Sequence, residues 1–476
     1  MNEKIALKEK IGYGFGDFAS SMFWKIFSVY LLYYYTDVFG IAASVVGTMF
    51  LITRIWDTAF DPIIGIMADR TTTRWGKFRP YLIWVAFPFG LIGVLTFAAP
   101  DLSNTGKVVY AYITYTLMMM IYSAINVPYA SLMGVMTANI KERTTLSTFR
   151  FIFAFAGSIL VLATAEPLVN WFSRLSGDGD LQTGWMYTMM VYAVIASALF
   201  CLTFLWTRER ISPPKEQKVS LKEDLKDLAS NAPWFVLLGA GVSTLVFNAL
   251  RDGSAIYYFK YYFRDQEAFQ LPLLQVAINY STLFLVLGQA ANIAGVILAK
   301  PISDKIGKKH TFFYAMLLAT ALSCIFYFFD ENDLVLIFSF QFLISVCAGS
   351  IFPLLWSMYA DIADYSEWKT GRRATGLIFS SSSMSQKLGW TLGGALTGWL
   401  LGFYGFEANV VQNADTKTGI RMMLSFIPAA GALFSALFIL FYKLNDPLMG
   451  TITEELSTRR IQEQDLTINS SNIRTE

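Results

Sequence analysis

The stretch VVGTMFLITRIWDTAFDPIIGIM, residues 45–67, is apolar over most of its length and yet carries Asp57 and Asp61. A run of about 20 apolar residues is long enough to cross a bilayer as a helix. A carboxylate at mid-membrane costs roughly 2.5 kcal/mol or more, so such acids normally face a partner or a water-filled path. Because residues four apart share one helical face, the stretch predicts a membrane helix with a functional polar face.

Pro62 makes that face more suitable for a cation. It cannot donate a backbone hydrogen bond, and its ring crowds the carbonyl of Thr58, which releases another oxygen near the acids. Carboxylate and carbonyl oxygens suit a hard cation, and a proton could bind the same acids. We therefore predict a cation site formed by Asp57, Thr58 and Asp61. In the alternative interpretation, Arg54 neutralises the acids as a structural ion pair.

The rest of the chain has the composition of a membrane protein. Of its 476 residues, 55% are hydrophobic and only 15% are charged, which is too little charge to coat a soluble domain. Apolar runs of about 20 residues recur along nearly the whole length, and each predicts a spanning helix. The twelve predicted spans are residues 12–38, 42–67, 81–99, 108–135, 147–171, 185–206, 232–263, 273–298, 311–329, 334–360, 376–403 and 420–442. The sequence thus predicts an all-α membrane protein.

Lysine and arginine concentrate in alternate connections between these runs, and the intervening connections are nearly devoid of them. By the positive-inside rule, this alternation predicts that both termini are cytoplasmic. The formal net charge of +2 is too small to predict binding to nucleic acid.

The longest polar connection divides the chain into two halves. It covers residues 208–231, contains two consecutive prolines that forbid a continuous helix, and then shows the pattern of a short amphipathic helix on the cytoplasmic surface. We predict six-helix halves at residues 1–207 and 232–445, and a disordered tail at residues 446–476. The charged segments after the second and eighth runs resemble one another weakly, which favours related halves with a ligand site between them.

Two other runs carry polar faces. In the first run, Asp17, Ser21 and Lys25 recur at helical spacing, and in the fourth run Tyr122 and Asn126 share a face. Tyrosine offers an apolar ring with a polar tip, and asparagine both donates and accepts, which suits the hydroxyls and C–H faces of a sugar. These residues are candidate sugar ligands. Close helix packing and helix-to-helix hydrogen bonds are the alternatives.

Further charged residues lie within apolar runs or at their start, namely Arg150, Arg251, Asp252 and Lys387. Arg251 and Asp252 are adjacent and do not share a helical face, so each is expected to find a partner on another helix. The basic groups could bond sugar hydroxyls, pair with the aspartates or hold an anionic substrate. The sequence does not rank these three possibilities.

Charges of both signs cluster in the connections after the second and tenth runs. The alternation of sign predicts a cytoplasmic salt-bridge network that breaks and re-forms as the halves move. An ordinary solvated loop is the alternative. The candidate members of the network are Asp69, Arg70, Arg74, Asp361, Asp364, Glu367 and Arg372.

Motifs of soluble enzymes are missing from the sequence. There is no GxSxG, HExxH or GxxxxGK[ST] pattern, so we predict neither catalysis nor ATP-driven transport, and no cofactor. The three cysteines lack paired spacing, which predicts no disulfide and no metal site beyond a possible Na⁺.

Five segments carry a resemblance to a known family. They are GYGFGD at 12–17, YYYTDVFG at 33–40, DTAFDPIIGIMADRTTTRWGKFRPYL at 57–82, NVPYASL at 126–132 and DIADYSEWKTGRRATG at 361–376. From about residue 10 to residue 445, the chain resembles the glycoside–pentoside–hexuronide:cation symporter family. The resemblance implies the major facilitator fold, alternating access and import of a sugar with Na⁺, Li⁺ or H⁺.

The resemblance also implies roles for individual residues. Asp57 and Asp61 match the family's cation-binding acids, and Ser123 stands where the best-known member has a threonine. Sugar-site positions of the family are matched by Tyr122, Arg150 and Lys387.

Some residues differ from those of that member, which limits the roles that the resemblance implies. Phe60 replaces a cation-site asparagine, which weakens the case for Na⁺ and leaves H⁺ open. Ser21 and Asn126 replace two sugar-binding aspartates, and Ala130 replaces a tryptophan, which argues against galactosides bound in that member's manner.

Together these observations predict a secondary active importer of a sugar or glycoside, coupled to Na⁺ or H⁺. The expected partners are the sugar, the cation and the lipid bilayer, with a monomeric protein spanning the inner membrane many times. An uncoupled sugar facilitator or a sugar sensor with the same fold is the alternative.

Overall fold

A computed structural model of the chain describes residues 5–137, 140–176, 179–210, 231–263, 267–271, 276–370, 375–444, 447–452, 454–456 and 458. The described part is almost entirely helical. Its membrane-length helices are α1 (Leu7–Tyr33), α2 (Ala43–Arg70), α3 (Arg79–Thr96), α4 (Asn104–Met136), α5 (Ile140–Leu175), α6 (Leu181–Trp206), α7 (Ala232–Tyr262), α8 (Tyr280–Ile306), α9 (Lys308–Phe326), α10 (Leu334–Thr370), α11 (Thr375–Phe403) and α12 (Ala414–Leu440).

Nine of these helices are apolar enough, as well as long enough, to cross a membrane within the described residues. The other three, α1, α2 and α11, have the length but carry more polar side chains. This is the composition expected of helices that line a polar path through a bilayer. The predicted all-α membrane fold is therefore confirmed.

The two halves repeat one packing pattern. In the first half, α1 packs against α5 and α6, and α2 packs against α4; in the second half, α7 packs against α11 and α12, and α8 packs against α10. Between the halves, α2 packs against α11, α5 against α8 and α1 against α7. This is the arrangement of two related six-helix bundles, which places shared sites between them.

The crossing of α2 and α11 is a backbone-to-backbone contact. A Cβ atom added to Gly398 would lie 2.5 Å from the Ala43 carbonyl oxygen, and one added to Gly47 would lie 2.7 Å from the Ala395 carbonyl oxygen. Neither position has room for a side chain, so glycine permits the close approach of the two halves.

Wide π-helical turns follow α1 and end α7, at Tyr34–Val38 and Tyr258–Tyr262. These turns lie at the end of the bundle that carries the connections after odd-numbered helices, which we call the outer end. The opposite end, which carries the amino terminus, is the inner end. The outer end includes the connections at residues 97–103 and 404–413.

Of the helix boundaries that differ from the sequence-based spans, two change the interpretation of a segment. The eighth span begins at Tyr280, because a β-hairpin of β1 (Glu267–Leu271) and antiparallel β2 (Val276–Asn279) precedes it; hydropathy alone does not distinguish a short strand from the start of a helix. The tenth helix continues to Thr370. The charged stretch 361–370 is therefore helical and not a loop.

The predicted domain boundaries stay predictions. Residues 211–230 of the middle connection, with the predicted amphipathic helix, lie outside the described part of the chain. Within the predicted disordered tail, residues 447–452 are helical instead, while residues from 459 onward also lie outside the described part.

Candidate functional site

The two aspartates of α2 meet a lysine from the opposite half. Asp57 is buried, and its Oδ1 accepts a hydrogen bond from Ser123 Oγ of α4 at 2.7 Å. Its Oδ2 lies 3.4 Å from both Arg54 Nη1 and Lys387 Nζ of α11. Lys387 also forms an ion pair with Asp61 Oδ2. We call these five residues the cation cluster.

Asp61 Oδ1 is buried and has no hydrogen-bond partner among the described residues. With Asp57 Oδ1, Asp57 Oδ2 and Ser123 Oγ close by, it completes a set of oxygens that fits a proton or a small hard cation. The third predicted ligand, Thr58, lies in α2, but its side chain is outside the described part. The predicted pair and Ser123 are thus brought together. Arg54 pairs with Asp57 as well, as the alternative interpretation expects, and the cation site stays a prediction.

The predicted sugar ligands of α1 also form ion pairs. Asp17 Oδ2 accepts a hydrogen bond from Arg150 Nε at 2.7 Å, and the Arg150 guanidinium lies 5.5 Å from the Tyr129 ring centroid. Lys25 Nζ lies 2.6 Å from Asp252 Oδ2 of α7. The Lys25–Asp252 pair joins the two halves. As expected, the neighbouring Arg251 turns elsewhere within the second half.

A central cavity lies between the halves. Trp24 and Trp390 face each other there in an edge-to-face contact, with ring centroids 6.3 Å apart. The Trp24 ring also contacts Tyr122 at 5.8 Å, and the Arg54 guanidinium lies 4.5 Å from the Trp24 centroid. The lining residues come from five helices and include Trp24, Ser28, Arg54, Tyr115, Gly253, Trp390 and Thr391. Aromatic faces beside polar groups suit a carbohydrate.

Two other predicted sugar ligands have simpler surroundings. Asn126 Nδ2 donates to the Tyr122 carbonyl oxygen one turn earlier, at 3.0 Å. Ser21 lies on the α1 face shared with Asp17 and Lys25. None of the predicted sugar ligands is among the residues that line the central cavity, although Tyr122 contacts Trp24, which does.

Part of the predicted inner-end charge network lies within the described residues. Asp361 forms an ion pair with Lys308 of α9 at 2.6 Å, within the second half. Asp364 and Glu367 follow it on the helical extension of α10. Arg70 and Arg74 are exposed, and Arg74 lies over the Trp75 ring. The side chain of Asp69 and all of Arg372 lie outside the described residues.

The outer end is closed by a charged contact that the sequence analysis missed. Asp37 Oδ1 lies 2.7 Å from Lys260 Nζ, and Tyr261 donates its hydroxyl hydrogen to the same oxygen. Asn409 Nδ2 donates to the Asp37 carbonyl oxygen at 2.6 Å, and Thr36 Oγ1 lies 2.9 Å from Tyr257 Oη. We call Asp37, Lys260, Tyr261 and Asn409 the outer cluster. Its charges lie at predicted helix ends, where sequence reasoning expects solvated residues.

A second missed contact joins α5 to the start of α8. Glu166 Oε2 accepts hydrogen bonds from Thr282 Oγ1 at 2.8 Å, from Ser281 Oγ at 3.1 Å and from Asn279 Nδ2 at 3.4 Å. Ser281 and Thr282 are fully buried. We call these four residues the Glu166 cluster. Pro167 follows the acid, as Pro62 follows Asp61, and that shared signal could have identified it from the sequence.

Paired charges buried between two matching six-helix bundles define a transporter of the major facilitator class and not an enzyme. Residues 12–446 match the family described as MFS/sugar transport protein, and the chain belongs to that family. The family and fold predicted from the sequence are both confirmed.

Named relatives match over nearly their whole length. The inner membrane symporter YicJ of Escherichia coli (strain K12) is 36% identical over 467 residues, which cover 97% of this chain and 98% of that protein. An isoprimeverose transporter of Lactiplantibacillus pentosus is 35% identical over 466 residues, covering 97% and 94%. With the apolar helices, these matches identify a multi-pass inner-membrane protein.

Solved structures share the fold at low identity. A bacterial homologue of the human lysosomal transporter Spinster, in an inward-facing conformation, has a TM-score of 0.65 at 12% identity, covering 92% of this chain and 95% of that one. The nucleoside transporter NupG has a TM-score of 0.59 at 14% identity, covering 93% and 100%. At such identity the likeness concerns the fold alone.

Proposed function

We propose that this chain imports a sugar or glycoside together with Na⁺ or H⁺ by alternating access, with the cation bound at Asp57, Asp61 and Ser123. One observation carries the proposal. Two acids on one face of α2 form ion pairs with a lysine of the opposite half, while Asp61 Oδ1 has no hydrogen-bond partner among the described residues. The relatives, which are named as a symporter and an isoprimeverose transporter, support the same class of function.

Lys387 provides the link between cation and sugar. Its ammonium now occupies the position of a positive partner for both acids. A cation that binds the acids competes with Lys387, because two positive charges at one site repel each other. The displaced ammonium is then available to a sugar hydroxyl near Trp390 and Thr391, three and four residues further along α11, which line the central cavity. Cation binding therefore raises sugar affinity, and by linkage sugar raises cation affinity.

The charges beside the cavity favour a neutral substrate. Asp17 pairs with Arg150, and Asp252 pairs with Lys25. In the cation cluster, two acids meet two basic groups. Every one of these charges has a partner of opposite sign, so a neutral glycoside leaves the balance unchanged, whereas an anionic sugar would have to break a pair. Asp17, Lys25 and Arg150 then shape the site and bond hydroxyls when their pairs loosen.

The orientation and the inner-end network belong to the same proposal. The inner end faces the cytoplasm, with both termini there, and Asp361–Lys308 is one member of a network that rearranges during the cycle. The protein acts as a monomer of two six-helix halves. Phe60 in place of an asparagine weakens the case for Na⁺ and leaves H⁺ open, so the coupling ion is Na⁺ or H⁺.

The test uses purified protein in proteoliposomes. We expect labelled neutral glycoside to accumulate against its gradient when an inward Na⁺ or H⁺ gradient is imposed, and to show counterflow without any ion gradient. Counterflow with no ion-driven accumulation would leave the uncoupled facilitator, and binding without either flux would leave the sensor. A thermal-shift screen of a sugar panel with and without Na⁺ selects the substrate beforehand, because a ligand that binds the folded state raises its stability.

A further inference from the structure

Glu166 differs from the other membrane carboxylates described above in the charge of its partners. Asp17, Asp37, Asp57, Asp61 and Asp252 each form an ion pair. Among the described residues, Glu166 forms none, and all three of its hydrogen-bond partners are neutral. A buried charge without a counter-charge is costly. Glu166 therefore lacks the opposite charge that stabilises the ionised form of the other five carboxylates.

Titratable groups surround Glu166 from several helices without pairing with it. From α1, Tyr30 lies close enough to interact with it electrostatically, and Tyr33 lines the same cavity as Glu166. From α6, Tyr192 bonds Thr164 and not Glu166. Lys260 of α7 lines the cavity too, but its ammonium is engaged by Asp37, Tyr33 and Asn409. Among the described residues that line this cavity, Lys260 is the one charged group besides Glu166, and it already has an acidic partner.

The contributions to the charge state of Glu166 oppose one another. Three donors and the adjoining amino-terminal turn of α8 favour the ionised form, through hydrogen bonds to a charged group and through the helix dipole. Removal from water favours the neutral form. Since the hydroxyls of Ser281 and Thr282 can also accept a hydrogen bond, they can bond the protonated acid too, although less strongly than the ionised form.

The Glu166 cluster lies where its protonation can respond to movement of the two halves. It joins α5 to α8, and in the repeated packing pattern the α5–α8 contact corresponds to the α2–α11 contact. When the outer end opens, α5 and α8 separate there and water replaces the three donors. A hydrated glutamate is ionised at neutral pH. The closed contact thus tolerates a proton that the open contact releases.

We propose that Glu166 is a proton-binding site that holds the outer end closed: it takes a proton from the outer solution as α5 and α8 come together and returns it when they part. This site is distinct from the cation cluster on α2. Its ligand is the proton, carried on a glutamate oxygen and bonded to Ser281 or Thr282. Low pH at the outer surface then favours the closed outer end, and rising pH favours opening.

The first test measures the outer end directly. Spin labels at Leu102→Cys and Phe328→Cys, in protein whose native cysteines are replaced by serine, report the distance between two exposed outer-end positions by pulsed electron resonance. We expect the closed population to fall several-fold as pH rises from about 5.5 to 8.5. Glu166→Gln, which mimics the protonated acid, should stay closed and lose this dependence. The matched control Glu407→Gln removes an exposed outer-end glutamate and should retain it.

The second test keeps Glu166 and weakens its surroundings. Thr282→Val removes the shortest hydrogen bond to the ionised form, so the midpoint of the pH response should rise by about one pH unit. An infrared difference spectrum between the parent protein and Glu166→Gln at about pH 6 should show the C=O stretch of a protonated carboxylic acid. An unchanged midpoint in Thr282→Val together with no such band overturns the proposal, as does full pH dependence in Glu166→Gln. Neither measurement depends on coupled transport. The proton-binding role of Glu166 and the proposed symport are therefore tested independently.

Discussion

Asp61 on α2 and Glu166 on α5 are both followed by a proline inside a membrane helix, and both reach a helix of the opposite half. Asp61 meets the ammonium of Lys387, while Glu166 meets two hydroxyls and an amide. The local sequence is the same type in each case. The difference therefore lies in what the opposite half contributes.

The charge of the partner decides which task each acid can perform. An acid that faces a lysine can exchange that lysine for a cation, which suits a coupling site. An acid that faces neutral hydroxyls can only gain or lose a proton. This suits a site whose protonation depends on whether it is hydrated. One sequence pattern thus leads to two different proposed ion sites, because α11 and α8 place different groups opposite it.

The largest effect should follow from Asp61→Asn. The amide keeps the size of the side chain but removes the charge that attracts the coupling cation, so ion-driven accumulation of glycoside should be lost while counterflow continues. Proteoliposome flux with and without an imposed gradient measures both. Accumulation at the parent level would end the assignment of Asp61 as a cation ligand.

Lys387→Ala tests the comparison of Asp61 with Glu166 by removing the partner of Asp61 and keeping the acid. Without the competing ammonium, the two acids should bind a cation about tenfold more tightly, which corresponds to about 1.4 kcal/mol. The cation dependence of the melting temperature reports this affinity. Lys25→Ala is the matched control, since it removes the other lysine that joins the halves through an aspartate and should leave cation affinity unchanged. Equal changes in both variants would remove the special role of Lys387.

A smaller effect is expected when the Glu166 cluster is made to resemble the cation cluster. Asn279→Lys places an ammonium beside the Glu166 carboxylate and favours its ionised form, so the pH midpoint of outer-end closure should fall by about one unit or more. The same spin-label distances measure it. Asn279→Gln, which keeps a neutral amide, should move the midpoint far less, and a similar shift in both variants would contradict the electrostatic explanation.

The smallest effect should come from an acid that lies outside the membrane. Asp180 caps α6 by accepting hydrogen bonds from the backbone of Gln182 and Thr183 at 2.9 and 3.0 Å. The hydroxyl of Thr183, also bonded to Asp180, is the main cause that lowers the pKa of this carboxyl below its ordinary value.

Asp180→Ala should lower stability by about 1 kcal/mol at neutral pH. Because a lowered pKa stabilises the fold above the ordinary value for aspartate, this difference should fade as pH falls through the acidic range. Thermal unfolding at several pH values measures it. Transport and the pH dependence of the outer end should not change, and a change in either would show that acids outside the membrane share the roles of those inside it.

Much of the fold and part of the site could be predicted from sequence because their signals are local. Long apolar runs predict helices, and the four-residue spacing of Asp57 and Asp61 places them together without knowledge of any other helix. The start of α8 and the helical extension of α10 were wrong in the predicted spans, since hydropathy does not record backbone pairing or a helix that continues beyond the bilayer.

Partnerships between halves could not be predicted. Nothing local to Lys387 indicates that it reaches Asp61, and nothing near Asp252 indicates Lys25, because these pairs depend on how two bundles pack. Glu166 was overlooked although its neighbour Pro167 repeats the pattern of α2. The outer cluster was missed because Asp37 and Lys260 lie at helix ends, where charged residues are ordinarily solvated.

The π-helical turns at Tyr34–Val38 and Tyr258–Tyr262 end the first helix of each half at matching places. A π turn holds an extra residue relative to an α-helix and is uncommon. Two separate insertions at equivalent points would require two events. One insertion in an ancestral six-helix unit that was afterwards duplicated requires only one and is the simpler explanation. Asp37 and Lys260 then record divergence after that event, in which each copy acquired one sign of charge on an inherited scaffold.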